Sequence, residues 1–260
     1  MDLGSIIGVI GTIVIIVAVL IIEGGSPAEL FGHPQAILLT FMGSLMAAGV
    51  SAPFKVMLGA PKLFLVAIQT NKFETAEVIN SLIEMAGKAR RDGLLALEDE
   101  TKTVTDAFLK KGLMLVVDGV DPPQVKEILT TEIAQMKERH ALGAKLMNGA
   151  GGYAPTFGII GTVMGLINVL KQLDDPSSLG HAIAAAFLAT LWGLLSANVF
   201  FLPLGGKLVT KTEEEVAYRE LLIEGILGIQ AGENPRMLRE KLNAFMPPKD
   251  RQGEEESSGN

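Results

Sequence analysis

Long uninterrupted blocks of apolar residues alternate with charged stretches along this chain. The first block is Leu3–Ile22, the second spans residues 34 to about 51, the third 149 to 170, and the fourth about 181 to 204. A helix needs about 20 apolar residues to cross the roughly 30 Å hydrocarbon core of a bilayer. The pattern therefore predicts an all-α, polytopic membrane protein with four transmembrane helices.

The charged stretches predict how the chain divides into domains. We expect transmembrane helices one and two in residues 1–52, a helical cytoplasmic domain in residues 53–149, and transmembrane helices three and four in residues 150–206. Residues 207–246 have the amphipathic pattern of cytoplasmic C-terminal helices. Residues 247–260 are polar and charged, which is typical of a disordered tail.

Two helix starts are marked by local sequence. Asp121 precedes Pro122, and Asn234 precedes Pro235. Asp and Asn are favoured N-cap residues, and proline fits the first helical turn because its missing N–H would have no intrahelical partner there. We expect the helix that follows Asp121 to lead directly into the third apolar block.

The distribution of basic residues predicts the orientation. Of 22 Lys and Arg residues, 13 lie between Lys55 and Lys145 and 8 between Lys207 and Arg251. Basic residues stay preferentially on the cytoplasmic side of a membrane. Both charged stretches and both termini are therefore predicted to be cytoplasmic.

Composition narrows the chemistry. Hydrophobic residues make up 48% of the chain and the mean hydropathy is +0.38, as expected of a membrane protein. The absence of cysteine rules out disulfides, thiol catalysis and thiolate metal sites. The three histidines are far apart in sequence, so we expect no metal site and no cofactor. A net charge of −7 without a dense basic tract argues against nucleic acid as a partner.

Small residues recur at helical spacing in the third and fourth blocks. Gly158, Gly161 and Gly165 form a stripe on the third block, and Ala186 and Gly193 belong to a matching stripe on the fourth. Such stripes permit close backbone approach. From the pattern alone, the stripe indicates either ordinary helix packing or a face that lines something polar.

Two threonines fall at the same depth. Thr162 lies nine residues after Tyr153 and Thr190 nine residues after His181, which is about 14 Å in each helix. A single intramembrane Thr commonly bonds the carbonyl four residues earlier in its own helix. Two hydroxyls at one depth favour a shared polar path near the midplane.

No ionisable residue lies in the interior of the four blocks. Intramembrane ion paths normally use such a group. If this protein conducts ions, the carboxylate must come from another chain. Pro155 and Pro203 lie near the cytoplasmic ends of the third and fourth blocks, where each removes a backbone hydrogen bond and permits a hinge; ordinary boundary prolines would look the same.

Three runs carry a resemblance. Residues 154–167 (APTFGIIGTVMGLI), 184–193 (AAAFLATLWG) and 89–100 (ARRDGLLALEDE) resemble the MotA family, the larger stator subunit of the bacterial flagellar motor. The similarity extends from the first block to about Phe245. It implies a non-enzymatic protein of the bacterial inner membrane.

The resemblance implies a complex. Five copies of the chain would surround two copies of a MotB-like partner, whose single membrane helix carries an ion-binding aspartate and whose other domain holds peptidoglycan. That partner would supply the missing carboxylate, and its helix would pack on Gly158, Gly161, Gly165, Ala186 and Gly193. Pro155 and Pro203 would couple ion binding to conformational change.

The resemblance also assigns a rotor contact. In the family, one Arg and one Glu of the cytoplasmic loop pair with charges on the rotor protein FliG. They fall on Arg90 and Glu98 here, with Arg91 and Asp99 adjacent. On sequence alone, these charges are equally those of a solvated helix end, with Gly93 as the C-cap.

The conducted ion is inferred from one position. Sodium-type members of the family carry a Thr-Thr pair where this chain has Ala189 and Thr190. Sodium needs several oxygen ligands, so the loss of one favours protons. We expect Thr162, Thr190 and Ala189 to line the ion path.

Two other functions fit part of the pattern. An ExbB- or TolQ-like subunit that energises outer-membrane transport shares the Gly/Thr-rich spans, and a membrane scaffold without conduction is also compatible. A cytoplasmic loop of about 95 residues between the second and third blocks favours the stator.

Overall fold

The computed structural model describes residues 3–70, 73–171 and 176–250, and every regular element in these ranges is a helix. This confirms the predicted all-α class. The α-helices are, in chain order, α1 (Leu3–Ile22), α2 (Pro27–Phe31), α3 (Pro34–Gly49), α4 (Phe54–Leu58), α5 (Ala60–Ile68), α6 (Thr75–Asp92), α7 (Glu98–Thr103), α8 (Ala107–Val117), α9 (Pro122–Lys171), α10 (Pro176–Leu195), α11 (Leu202–Gln230) and α12 (Pro235–Asn243).

Within the described ranges, three helical stretches are long and apolar enough to cross a bilayer. They are α1, the C-terminal part of α9, and a stretch that begins in α10 and continues through a π-helical turn, Ser196–Phe201, into α11. Helix α3, which corresponds to the second apolar block, contains a π-helical turn at Leu39–Gly43. At about 1.5 Å per residue α3 is only about 24 Å long.

Both predicted helix starts are confirmed. Helix α9 begins at Pro122 and continues for 50 residues through the third apolar block. Helix α12 begins at Pro235, and the side chain of Asn234 accepts a hydrogen bond from the Arg236 N–H at 2.9 Å.

The described residues form two compact units. The membrane unit comprises residues 3–70 and 139–211, and the charged unit comprises residues 73–138 and 212–250. The predicted domains describe location relative to the bilayer and stay a prediction; the compact units group residues 53–70 and 139–149 with the four apolar blocks. Of the predicted tail, residues 251–260 lie outside the described part, and Pro248–Asp250 form a 3-10 turn.

Small side chains form much of the membrane unit's core. Ala60 and Ala67 of α5 are 1% exposed and pack in one cluster with Met147 and Ala150 of α9. This packing explains why residues 53–70 belong to the membrane unit although their hydropathy is lower. Phe201 is also fully buried in the same cluster.

A lysine closes the C-terminal end of α5. Lys211 is 6% exposed, and its Nζ donates to the carbonyl of Val66 at 2.5 Å and to that of Gln69. The last carbonyls of a helix lack intrahelical partners and carry partial negative charge. The buried ammonium therefore serves as a C-cap supplied by another helix.

Large aliphatic side chains form the core of the charged unit. They come from α6, α8, α11 and α12, and from the first part of α9, and they include Ile79, Leu82, Leu113, Leu129, Leu222, Ile226 and Leu238. Asp106 caps α8 by accepting from the N–H groups of Phe108 and Leu109 at 2.9 and 2.8 Å.

Candidate functional site

The hydroxyls of Thr162 and Thr190 meet between α9 and α10. Their Oγ1 atoms are within hydrogen-bond distance of each other. Thr162 Oγ1 also lies 3.0 Å from the carbonyl oxygen of Ala186 on α10 and 3.1 Å from that of Gly158 in its own helix. Two hydroxyls carry two protons and four lone pairs. The pair is therefore a small spot rich in acceptors, and the contact shows that the two residues lie at the same height on α9 and α10; their depth in the bilayer stays a prediction.

The glycine stripe packs against α10 of the same chain. A Cβ added at Gly193 would lie 2.8 Å from the carbonyl oxygen of Ala154, and one added at Gly158 would lie 3.0 Å from that of Ala189. Those added at Gly161 and Gly165 would lie 2.7 Å from the Cβ atoms of Ala189 and Ala186. Helix packing within the chain thus accounts for the stripe, and the expected contact with a partner helix stays a prediction.

Ala189 is part of this tight contact. It is 4% exposed and belongs to a small buried cluster with Ala36 and Trp192. Its methyl group faces Gly161. The next residue, Thr190, carries the hydroxyl of the threonine pair, so position 189 lies beside the polar spot while its side chain packs in the cluster. A role of Ala189 in the ion path stays a prediction.

The two prolines occupy turns that approach each other. Helix α9 continues through Pro155, which leaves the carbonyl of Gly151 without its usual N–H donor. Pro203 is the second residue of α11, which begins directly after the second π-helical turn. A Cβ added at Gly151 would lie 3.3 Å from the backbone nitrogen of Leu202. The weakened backbone of α9 thus lies against the residue that precedes Pro203.

The four predicted rotor-contact residues lie on one connection of the charged unit. Arg90 and Arg91 are exposed in the last turn of α6, and Glu98 and Asp99 are exposed in the first turn of α7. Gly93 ends α6 with φ +85° and ψ 164°, a conformation essentially restricted to glycine. Charges of opposite sign are thus displayed a short distance apart along the chain.

Two neighbouring lysines form ion pairs with acidic side chains of α7. Lys102 Nζ lies 2.8 Å from Asp99 Oδ1 and holds the pKa of that carboxyl below its usual range. Lys88 Nζ lies 2.7 Å from Glu100 Oε1, and this hydrogen bond raises the pKa of the Lys88 ammonium. Asp99 therefore stays ionised, while Lys102 of the same helix offsets part of its negative charge.

A second hydroxyl cluster was missed from the sequence. Ser196 is fully buried in the second π-helical turn, where its Oγ donates to the Trp192 carbonyl at 2.6 Å and lies 3.3 Å from Thr40 Oγ1. Thr40 lies in the first π-helical turn and donates to the Ala36 carbonyl at 2.9 Å. The hydroxyl spacing of Thr40 and Ser44 could have indicated a polar face on α3.

The single tryptophan of the chain connects two helices of the membrane unit. Trp192 is 8% exposed, and its indole Nε1–H donates to the carbonyl of Leu30 in α2 at 2.7 Å. The Phe31 ring lies 5.8 Å from the indole ring, centroid to centroid. The short helix α2 is therefore anchored on α10.

Comparisons with known proteins agree with one another. A family model described as the MotA/TolQ/ExbB proton channel family matches residues 100–221. Motility protein A of Bacillus subtilis (strain 168) is 41% identical over 252 residues, which cover 96% of this chain and 93% of that protein.

Two solved structures are similar over almost the whole chain. A structure of C. jejuni MotAB matches with a TM-score of 0.92 at 34% identity, covering 98% of this chain and 100% of that chain. A structure of the flagellar MotAB stator complex from Bacillus subtilis matches with a TM-score of 0.87 at 40% identity, covering 95% and 96%.

Proposed function

Because this chain belongs to the MotA/TolQ/ExbB proton channel family, we infer that it is a stator subunit of a bacterial flagellar motor. The observation that carries this function is the near full-length similarity to Motility protein A and to flagellar MotAB structures. The predicted family and stator function are confirmed by these relatives. The same names favour the stator over an ExbB- or TolQ-like energising role.

The partner is a MotB-like subunit that brings the carboxylate. The apolar interiors of the four segments hold no Asp, Glu, Lys, Arg or His, so the group that exchanges the ion is expected on the partner's membrane helix. Every side chain of α1 is at least partly exposed, as are Ile159 and Val163 on α9. These apolar surfaces suit a lipid-embedded homo-oligomer, for which we propose five copies around the partner.

Protons are the proposed ion. A carboxyl group placed beside Thr162 and Thr190 would find hydroxyls that both accept and donate hydrogen bonds. The hydroxyls would stabilise the ionised carboxylate more than the neutral acid, since hydrogen bonds to charged groups are stronger. Protonation would weaken that contact and release the partner helix, while Pro155 and Pro203 would pass the change to the turns around them.

Torque is proposed to reach the rotor through Arg90, Arg91, Glu98 and Asp99. Their exposure and mixed sign suit complementary charges on FliG. Such charge pairs would fix how the two proteins are aligned and would add little to the affinity. The basic residues around the charged unit support a cytoplasmic location for it. Both termini would then lie in the cytoplasm and the apolar segments in the inner membrane.

Complementation tests the function. Expressing this chain with its MotB-like partner in a strain that lacks both stator subunits should restore swimming, and replacing the partner's membrane aspartate by asparagine should abolish it. Swimming speed should follow a proton ionophore and be insensitive to external sodium. Failure to swim with both subunits present in the membrane would contradict the stator function, and speed that tracks sodium would contradict only the choice of ion.

A further inference from the structure

A groove opens on the surface of the membrane unit beside α1. Its volume is about 670 Å³, within the usual range of about 300–1,000 Å³ for ligand sites. The walls are mostly apolar and include Gly8 and Val9 of α1, Phe64 and Ile68 of α5, Val199 in the second π-helical turn, and Leu204 in α11.

Polar groups line the same groove. They are Ser5, Thr12, Asn198 and Lys207. Ser5 lies near the start of α1, and Lys207 follows the fourth apolar block. Both therefore belong to the side that the distribution of basic residues assigns to the cytoplasm. The groove combines an apolar wall with a cation near the expected membrane surface.

Positive charge dominates the sequence that builds this side of the membrane unit. Residues 34–70, 139–170 and 176–211 contain six Lys and Arg residues and no Asp or Glu, and residues 1–33 add Asp2 on this side. An anionic group that approaches Lys207 from the bilayer thus meets cations without a competing carboxylate from these segments. The charge is complementary to an anionic lipid headgroup, because basic residues near a membrane surface attract anionic lipids.

The two short helices next to the groove have the character of an interfacial segment. Phe54 and Leu58 of α4 and Leu65 of α5 are 67%, 64% and 61% exposed. They are interspersed with the exposed residues Lys55 and Lys62. Apolar side chains beside lysines are typical of helices that lie at the boundary between headgroups and acyl chains. The last turn of α5 contacts Lys211, one helical turn after Lys207, so α5 ends at the same end of the groove as Lys207.

We propose that the groove binds one anionic phospholipid of the surrounding bilayer. An acyl chain lies along Gly8, Val9 and Phe64, and the headgroup phosphate lies at Lys207. Packing against the wall supplies van der Waals contact, and the ammonium group supplies the preference for negative charge. The site goes beyond the stator function, and it rests only on the placement of the membrane unit in a bilayer.

Blocking the groove is the first test. A Cβ added at Gly8 meets no atom within 4 Å, so the side chain of Gly8→Leu extends into the groove without displacing the fold. Gly11→Leu is the matched control, because Gly11 is equally open and does not line the groove. Phospholipid that copurifies with the intact stator complex is measured by mass spectrometry. Wild type and Gly11→Leu retain phosphatidylglycerol or cardiolipin, and Gly8→Leu loses most of it; equal retention by Gly8→Leu overturns the proposal.

The charge is tested separately. Lys207→Gln should lower the preference for phosphatidylglycerol over phosphatidylethanolamine about fivefold, while Lys171→Gln, outside the groove, should leave it unchanged. Equal preference in wild type and Lys207→Gln overturns the assignment of the headgroup. Because the chain has no native cysteine, Gly8→Cys also reports a protein occupant: cross-linked copies that hold no phospholipid overturn the lipid proposal.

Discussion

The threonine pair shows how far single residues follow from the sequence. Thr162 and Thr190 could be matched in depth because helices of known rise act as rulers. Their direct contact also depends on the rotation of each helix, which the glycine stripe fixes by permitting only one close approach. The contact between Ser196 and Thr40 could not be predicted in this way, since each lies in a π-helical turn that shifts the helical register.

Removing one hydroxyl of the pair should slow ion flow. Thr190→Val keeps the side-chain volume but takes away the group that contacts Thr162. A hydrogen bond to a charged group contributes about 1.5 kcal/mol, so the partner-dependent proton flux should fall about tenfold. Flux is measured from intracellular pH, with assembly checked by copurification of the partner.

Thr210→Val is the matched control for this prediction. The Thr210 hydroxyl bonds the Gly206 carbonyl of its own helix at 3.3 Å and is exposed. Wild-type flux in Thr190→Val would contradict a role of the pair in the ion path.

Tyr218 should titrate late. Burial, followed by the charge of Asp106 and the hydrogen bond to it, raises the pKa of Tyr218 from 10.0 to about 12. The folded state thus holds the phenolic proton more tightly than the unfolded state. The stabilisation is complete below pH 10 and is lost as the pH rises to about 12.

Phenolate absorbance in the near ultraviolet measures this titration. A Tyr153→Phe background leaves Tyr218 as the single tyrosine. Asp106→Asn, which retains a capping oxygen for α8, should lower the pKa of Tyr218. Ionisation of Tyr218 near pH 10 in the folded protein would contradict the prediction.

At the scale of helices, local chemistry predicted the starts better than the interruptions. Pro122 and Pro235 mark real N-termini because the capping residues act within one turn. The π-helical turns were missed since one extra residue in a turn hardly alters an apolar block. The packing of α5 into the core of the membrane unit was not predicted, because hydropathy averages do not register the small residues Ala60 and Ala67 that bury its inner face.

The close contact of α9 and α10 should be sensitive to one methyl group. Gly193→Ala would place a Cβ 2.8 Å from the backbone oxygen of Ala154, and backbone cannot move aside like a side chain. Overpacking of this kind costs about 1–3 kcal/mol. The free energy of unfolding in detergent should fall by that amount.

Gly152→Ala is the control for the helix contact. A Cβ at Gly152 meets no atom within 4 Å, and alanine favours the helix by up to about 1 kcal/mol over glycine. Its stability should equal or exceed that of wild type. Unchanged stability in Gly193→Ala would show that the two helices separate easily.

At the scale of the whole molecule, the sequence indicates what the chain lacks. The proposed partner rests on four apolar segments without an internal charge, two hydroxyls at one depth and an exposed α1. The partner's carboxylate belongs to another protein, and the number of copies depends on contacts between subunits. They follow from the resemblance and not from residue patterns in this chain.

Charge reversal tests the proposed rotor contact. Arg90→Glu should impair swimming while the complex assembles normally, because like charges brought together cost several kcal/mol. A compensating charge change on the rotor protein should restore part of the motility. Motility is measured as swarm expansion and as the speed of tethered cells.

Arg236→Glu makes the same charge change on α12, where Arg236 is also exposed, and should leave motility intact. Normal swimming of an Arg90→Glu, Glu98→Lys double variant would reject the contact.

The anchoring of α2 on Trp192 gives the protein a built-in optical reporter. The chain has one tryptophan, and its indole N–H is held by the Leu30 carbonyl in a nearly dry setting. The emission of indole shifts to longer wavelength when water reaches the ring. Unlabelled protein can therefore signal, through its own fluorescence, whether α2 stays seated on α10 while the channel is working.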